Sequence, residues 1–455
     1  MSAVQITREL GLFIAGLNES KTPSEARKRA INGFIDCIGV MTAGADEDVV
    51  RIVRQAERPS GGTALMWPDG QRATPASAAL INGIAAHALD YDDTGLKGHP
   101  SAVLVPAIMA VAEELGSSGS RMVTAYLAGY ETWGELIYRE AGQHATKGWH
   151  ITGIFGSIAA AAACASLRGL NAAQSTTALA LAASQSSGLL ANFGTMAKPM
   201  HSGIAARSGV FAAELAAHGM TASPDALEHP QGFLAAVSPA GKIDVTSPVQ
   251  AGRHWRMLEV GLNVKKFPVC YCAHRAIDGA RDLKAKFGLN PDDIDTVEVA
   301  MSRRNATILR HHAPTEELEA KFSIEFAMAA AFTAGDVSLR EVRDGFVQRP
   351  DIQAFFPRVK VRDDVESDPI TGHSRYEQVD IRLKDGRTVS SGEIIAARGA
   401  ASIPLTPEET FTKFSSCIER TDAGLDADAL FDRLSNLDNL KHVKDLYASR
   451  VRAMA

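Results

Sequence analysis

Cysteine is scarce in this chain: five in 455 residues, at positions 37, 164, 270, 272 and 417. An odd count with no double Cys-x-x-Cys pair excludes a disulfide scaffold and a zinc-held fold. Cys270-x-Cys272 is read as reduced and structural. Long apolar runs are missing too. The most apolar stretch, residues 158–167, is alanine-dominated and soon broken by Arg168-Gly169, so no run of transmembrane length is expected. Residues 1–11 mix charges early and show no apolar signal-peptide region. A cytoplasmic location is the expectation. Charge of one sign is not in excess either: 47 basic against 53 acidic residues leave a net charge of −6. That balance gives no footprint for nucleic acid or an anionic membrane and favours a small-molecule partner. Also absent are Gly-x-Gly-x-x-Gly, Gly-x-x-x-x-Gly-Lys-Ser/Thr, His-Glu-x-x-His and Gly-x-Ser-x-Gly, so nicotinamide, nucleotide, zinc-protease and serine-hydrolase chemistries lose their usual signals.

What is present is helix. Up to about residue 262 the pattern predicts one helix after another, over 23–40, 75–89, 101–115, 151–167 and 172–185, several so alanine-rich that they must be buried. After residue 262 the periodicity shifts to two, predicting strands over 296–300, 359–362 and 377–383 and a hairpin through Lys384-Asp-Gly-Arg387. Helices are predicted there over 274–287 and 324–333, hence a small antiparallel sheet with helices on one face. Beyond 406 the chain turns helical again, over 412–418, 427–434 and 440–454. The fold class expected is mainly α with an α+β second domain. Residues 1–262 and 403–455 form the helical domain in this reading, and 263–402 form a smaller α+β lid.

Chemistry-bearing residues gather at element boundaries. His87-Ala-Leu-Asp90-Tyr-Asp92-Asp93-Thr94 and Gly98-His99-Pro100-Ser101 pack three carboxylates and two imidazoles into a short span. Three carboxylates so close require partners or raised pKa values, as proton-transfer sites do. Gly148-Trp-His150 puts an imidazole at a helix N-terminus, which keeps it neutral. Lys198-Pro-Met-His201 sets a lysine in an apolar neighbourhood, where a substrate carboxylate is a natural partner. Lys265-Lys266 with His274 and Arg275 falls where the two textures meet, and would suit a di- or tricarboxylate in a crevice between domains. Lys321-Phe-Ser323 reads as a helix start capped by Ser323. Asp92-Asp93 invites magnesium, but no second acidic run exists to share it, so no metal is expected.

In order, these motifs resemble the MmgE/PrpD family along nearly the whole chain. The resemblance implies a large helical domain, an α+β lid, a dimer, no metal or organic cofactor, and a site drawing on Asp90, Thr94, His99, His150, Lys198 and Lys265. The family includes 2-methylcitrate dehydratases, cis-aconitate decarboxylases and an iminodisuccinate epimerase. Many of its dehydratases carry adjacent cysteines after Lys-x-x-Pro where this chain has Cys270-Tyr-Cys272. Decarboxylases place His at the Cys270 position and Tyr at the Phe326 position, which argues against itaconate formation here. The residues suit removal of a proton α to a carboxylate: His99, oriented by Asp90, and His150 as proton carriers, with Lys198 and Lys265 offsetting enediolate charge. Thr94, His201, His274 and Arg275 complete the binding set. The favoured reading is a cofactor-independent 2-methylcitrate dehydratase-like hydro-lyase acting as a homodimer built through its alanine-rich helices. The alternative is epimerisation of an N-substituted aspartate such as iminodisuccinate. Cis-aconitate decarboxylation ranks behind both, and a non-enzymatic helical binding scaffold last.

Overall fold

The structure is a computed structural model that describes residues 4–140, 143–368 and 372–447. The chain divides into two compact units, one formed by Met1–Leu262 with Thr406–Ala455, the other by Asn263–Leu405.

In the first unit the helices Pro75–Ala88 and Ile151–Arg168 both pack on the long helix Ala197–Ala217. Small residues make this possible. A Cβ on Gly83 would come within 2.9 Å of the Gly203 Cα, so these two backbones meet nearly bare and gain close dispersion contact. Ile151–Arg168 corrects one expectation: it is long and apolar enough to cross a membrane. It is also enclosed by its own unit, from Ile154 through Ala165 without exposure, as the core helix of a globular domain is. The predicted helices 23–40 and 101–115 form as Ser24–Ala43 and Pro100–Leu115. Pro407–Ile418, opened by a Thr406/Glu409 capping box, packs on Ser24–Ala43. The helix expected over 440–454 is a 3₁₀ turn at Val443–Tyr447, and residues 448–454 lie outside the described residues.

The second unit holds a four-stranded sheet in the order Val359–Arg362, Ile294–Ala300, Gln378–Leu383, Thr388–Ser390. The sheet is mixed, not antiparallel as expected. Val359–Arg362 runs parallel to Ile294–Ala300, with Val297 opposite Val359. Parallel neighbours need a long crossover, and residues 301–358, containing the helix Ile324–Thr333, supply it. The other pairs are antiparallel. His274–Phe287 and Ile324–Thr333 form as predicted, the latter capped by Ser323, which accepts from the Phe326 amide at 3.1 Å.

Candidate active site

The helix Pro75–Ala88 ends one residue after His87, and the chain reverses at Asp90 through a left-handed backbone (φ 50°). A second reversal follows at once. Gly95 and Gly98 exchange both backbone hydrogen bonds, at 2.9 and 2.8 Å, while Leu96 and Lys97 between them both have positive φ. Two left-handed central residues define the tightest hairpin turn, usually an Asn-Gly task, so side-chained residues here are strained. Gly98 is required by space, because a Cβ there would meet the Trp133 ring at 2.8 Å. The double reversal brings the acidic run against His99, just ahead of the helix Pro100–Leu115.

Asp92, fully enclosed, sits between two imidazoles. Its Oδ1 is 2.9 Å from His87 Nδ1 and its Oδ2 is 2.9 Å from His99 Nδ1. The same His99 nitrogen lies 3.0 Å from the Asp93 carbonyl oxygen. A carbonyl can only accept, so His99 Nδ1 carries the hydrogen, and the neutral ring keeps its lone pair on Nε2. That is one fixed tautomer, the arrangement a general base needs. His99 also keeps 13% side-chain exposure, while His87 and Asp92 keep none. Burial opposes ionisation of Asp92, but the two imidazoles outweigh it and hold the carboxyl well below its usual range. Burial drives His87 down to about 4, against the pull of Asp92.

Asp90, expected to orient His99, is paired with Lys198. Its Oδ1 takes the Lys198 ammonium at 2.6 Å, both side chains 6% exposed, while Asp92 and the Asp93 carbonyl meet His99 Nδ1. One residue, Tyr91, separates Asp90 from Asp92 across a left-handed turn, which sends their carboxylates to different partners. Lys198, one residue into the helix Ala197–Ala217, also faces the Phe193 ring at 5.2 Å. His150 stands at the start of the helix Ile151–Arg168, with its Nδ1 3.0 Å from His201 Nδ1. One of these nitrogens must donate and the other accept, which gives the two rings opposite tautomers. Burial, reinforced by His87 and Lys198, holds His150 well below its ordinary value. The rings of His87 and His99 lie 4.3 Å apart, and those of His87 and His150 6.1 Å. Thr94 is half-buried in the same loop.

Donor atoms of His87, Asp90, Asp92 and His99 lie within 4.8 Å of one another, close enough to ligate a divalent cation. Asp92 already serves two imidazoles, however, and Asp90 holds a lysine ammonium. The cluster carries its own cation, and a metal would have to displace it.

Lys265, His274 and Arg275 belong to the second unit. Lys265 is 1% exposed. His274 has no exposure, and its Nε2 meets the Val269 carbonyl oxygen at 3.2 Å between the Phe267 and Tyr271 rings. Arg275 donates to the Ser374 carbonyl at 2.6 Å. His274 thus meets its own turn, and Arg275 ties the start of its helix to the distant Ser374 segment. Phe326 is a core side chain, edge-on to Phe346.

Sequence reasoning passed over His87 and Asp92 as site residues. The five-residue spacing from a helix's last turn into an acidic loop was the signal available.

The chain matches the MmgE/PrpD N-terminal domain over residues 8–246 and the MmgE/PrpD C-terminal domain over residues 267–431. It is 26% identical to the cis-aconitate decarboxylase of Homo sapiens, over 97% of this chain and 93% of that protein. Against the cis-aconitate decarboxylase of Mus musculus the identity is 26%, over 91% and 87%. Against that of Aspergillus terreus it is 24%, over 85% and 84%. With both domains matched in order along the chain, this protein belongs to the MmgE/PrpD family.

Proposed function

We propose that this protein is a cofactor-independent lyase that removes the proton α to a carboxylate of a small di- or tricarboxylate, with dehydration of a 2-methylcitrate-like hydroxy acid as the leading reaction. The observation that carries the reading is His99, whose Nδ1 is fixed on the Asp93 carbonyl and Asp92 so that Nε2 is the basic nitrogen. His99 takes the α-proton. The Lys198 ammonium, already partnered by Asp90, offsets charge on the enediolate, which matters most where water is excluded. The neutral His150–His201 pair supplies a second proton-transfer group, donating to the departing β-hydroxyl in a dehydration. Thr94 is a hydrogen-bonding contact in this scheme. Lys265 is retained as a carboxylate partner on its sequence position alone.

A second reading, decarboxylation, draws support from the relatives, which are cis-aconitate decarboxylases. Cys270 and Phe326 keep it second. Epimerisation would use the same base, with the His150–His201 pair reprotonating the opposite face of the carbanion.

The test is α-proton exchange in deuterated water, followed by NMR over citrate, 2-methylcitrate, aconitate, tartrate and N-substituted aspartates. Exchange with loss of water supports the leading reading, release of carbon dioxide the second, and inversion without loss of mass the epimerase. No exchange from any of them defeats the proposal. Turnover unchanged by a chelator is expected; loss on chelation, restored by one metal, would refute the metal-free scheme. The reading also carries a homodimer built through the helical unit, whose surface exposes Phe211 and Met220. Light scattering at micromolar protein should give twice the chain mass, and monomer mass would refute it.

A further inference from the structure

Below the site lies a buried ion pair that proton transfer does not use. Lys413, from the helix Pro407–Ile418, meets Asp36 of the helix Ser24–Ala43 with Nζ 2.5 Å from Oδ1. Both side chains are enclosed, at 6% and 1% exposure. A tie between two helices needs no more than this. Lys413 does more, because the same Nζ donates to the Tyr91 carbonyl at 2.8 Å and lies 4.0 Å from the centre of the Tyr91 ring. Asp36 in turn lies near the Asp93 backbone amide, which favours its charged form. The pair therefore holds the main chain on both sides of Asp92, the residue that aligns His99 and His87.

The loop needs such a hold. Asp90, Leu96 and Lys97 have left-handed backbones, a conformation that side-chained residues keep only when surrounding contacts impose it. Catalytic alignment fails with displacements of about 1 Å.

We propose that Lys413 is a positioning residue for proton transfer: paired with Asp36, it clamps the Tyr91–Asp93 backbone and so sets where Asp92 holds His99. The inference rests on the reading of His99 as the base. It adds a residue more than 300 positions away in sequence from His99.

The experiment compares the full-length parent with Lys413→Met, Lys413→Arg and the double variant Asp36→Asn/Lys413→Met. It reads kcat and KM for α-proton exchange, Tm, and amide hydrogen exchange of the 90–94 segment against the 151–168 helix. For Lys413→Met a fall in kcat of roughly a hundredfold is expected, with KM within about threefold. Exchange of the 90–94 amides should quicken about tenfold, with the 151–168 helix unchanged. Lys413→Arg, which retains the donor and the charge, should recover most of kcat. A folded Lys413→Met with parental kcat and parental loop protection overturns the proposal, as does a loss that follows Tm alone and is not rescued by arginine. If Lys413→Met does not fold, the double variant, which leaves no buried charge unpaired, is judged by the same two criteria. A parent that exchanges no polycarboxylate would defeat the functional reading, while the amide-exchange arm would still decide the role of Lys413.

Discussion

In the helical unit, buried ionisable side chains face one another: Asp92 between two imidazoles, Asp90 on Lys198, His150 on His201. In the α+β unit, the groups singled out from the sequence are tied to the fold itself. His274 sits on the Val269 carbonyl, Arg275 on the Ser374 carbonyl, and Asn305 donates to Glu377 at 3.0 Å. The backbone differs in the same way. All four non-glycine residues with positive φ among the described residues lie in the helical unit, and three of them are in the loop 90–97. Side chains tied to main-chain carbonyls satisfy burial and stabilise a turn. Ionisable side chains paired with one another, on a strained loop, cost stability without building an element, and this is the mark of a site that does chemistry.

The contrast can be broken most severely at Asp92. Asp92→Asn can still accept from one imidazole but no longer favours the Nδ1–H tautomer of both. A loss of about 3 kcal/mol in transition-state stabilisation, roughly a hundredfold or more in kcat, is expected from steady-state exchange kinetics. Lys198→Ala strips Asp90 of its buried cation. Weaker substrate binding, slower exchange and a loss of about 3 kcal/mol in unfolding free energy should follow, read by titration, kinetics and denaturant melts.

A smaller effect concerns pH. His87 is held at about 4 by burial, whereas the unfolded chain protonates histidine near 6.5. The unfolded state therefore gains the proton first, and the stability that neutral His87 contributes, complete above pH 6.5, drains as pH falls towards 4. At pH 5 the loss is about 2 kcal/mol. Denaturant melts of the parent and His87→Asn at pH 7 and pH 5 should show the parent losing this much more than the variant.

The smallest change in activity belongs to the α+β unit. Burial raises Glu377 to about 7, so its contribution is full below the unfolded value near 4.5 and is lost as pH rises through 7. Glu377→Gln mimics the protonated form. Relative to pH 4, it should gain about 2 kcal/mol on the parent by pH 6 and more as pH rises to 7.5, and leave α-proton exchange unchanged.

Much of this was legible in the sequence. Periodicity gave the strand 359–362 and the helices 274–287 and 324–333, because each pattern is long enough to have one interpretation. His99, His150, Lys198 and His201 could be singled out because each interrupts apolar or glycine-rich sequence with chemistry. Pairing was not legible. Which of three aspartates faces His99 depends on a left-handed turn at Asp90, a conformation no aspartate announces. The parallel strand was hidden because alternation records which face is buried, not strand direction. His87 stood in the motif, but nothing in its spacing says that it shares Asp92 with His99. Nothing near position 413 points to a partner at position 36.

The account turns on His99 as the base, and the most direct measurement is the rate of α-proton exchange by parent and His99→Ala on the best polycarboxylate of the screen, with folding checked by Tm. The account predicts that exchange by the variant falls to the uncatalysed background while substrate still binds. A folded His99→Ala that exchanges the proton at the parental rate would contradict it.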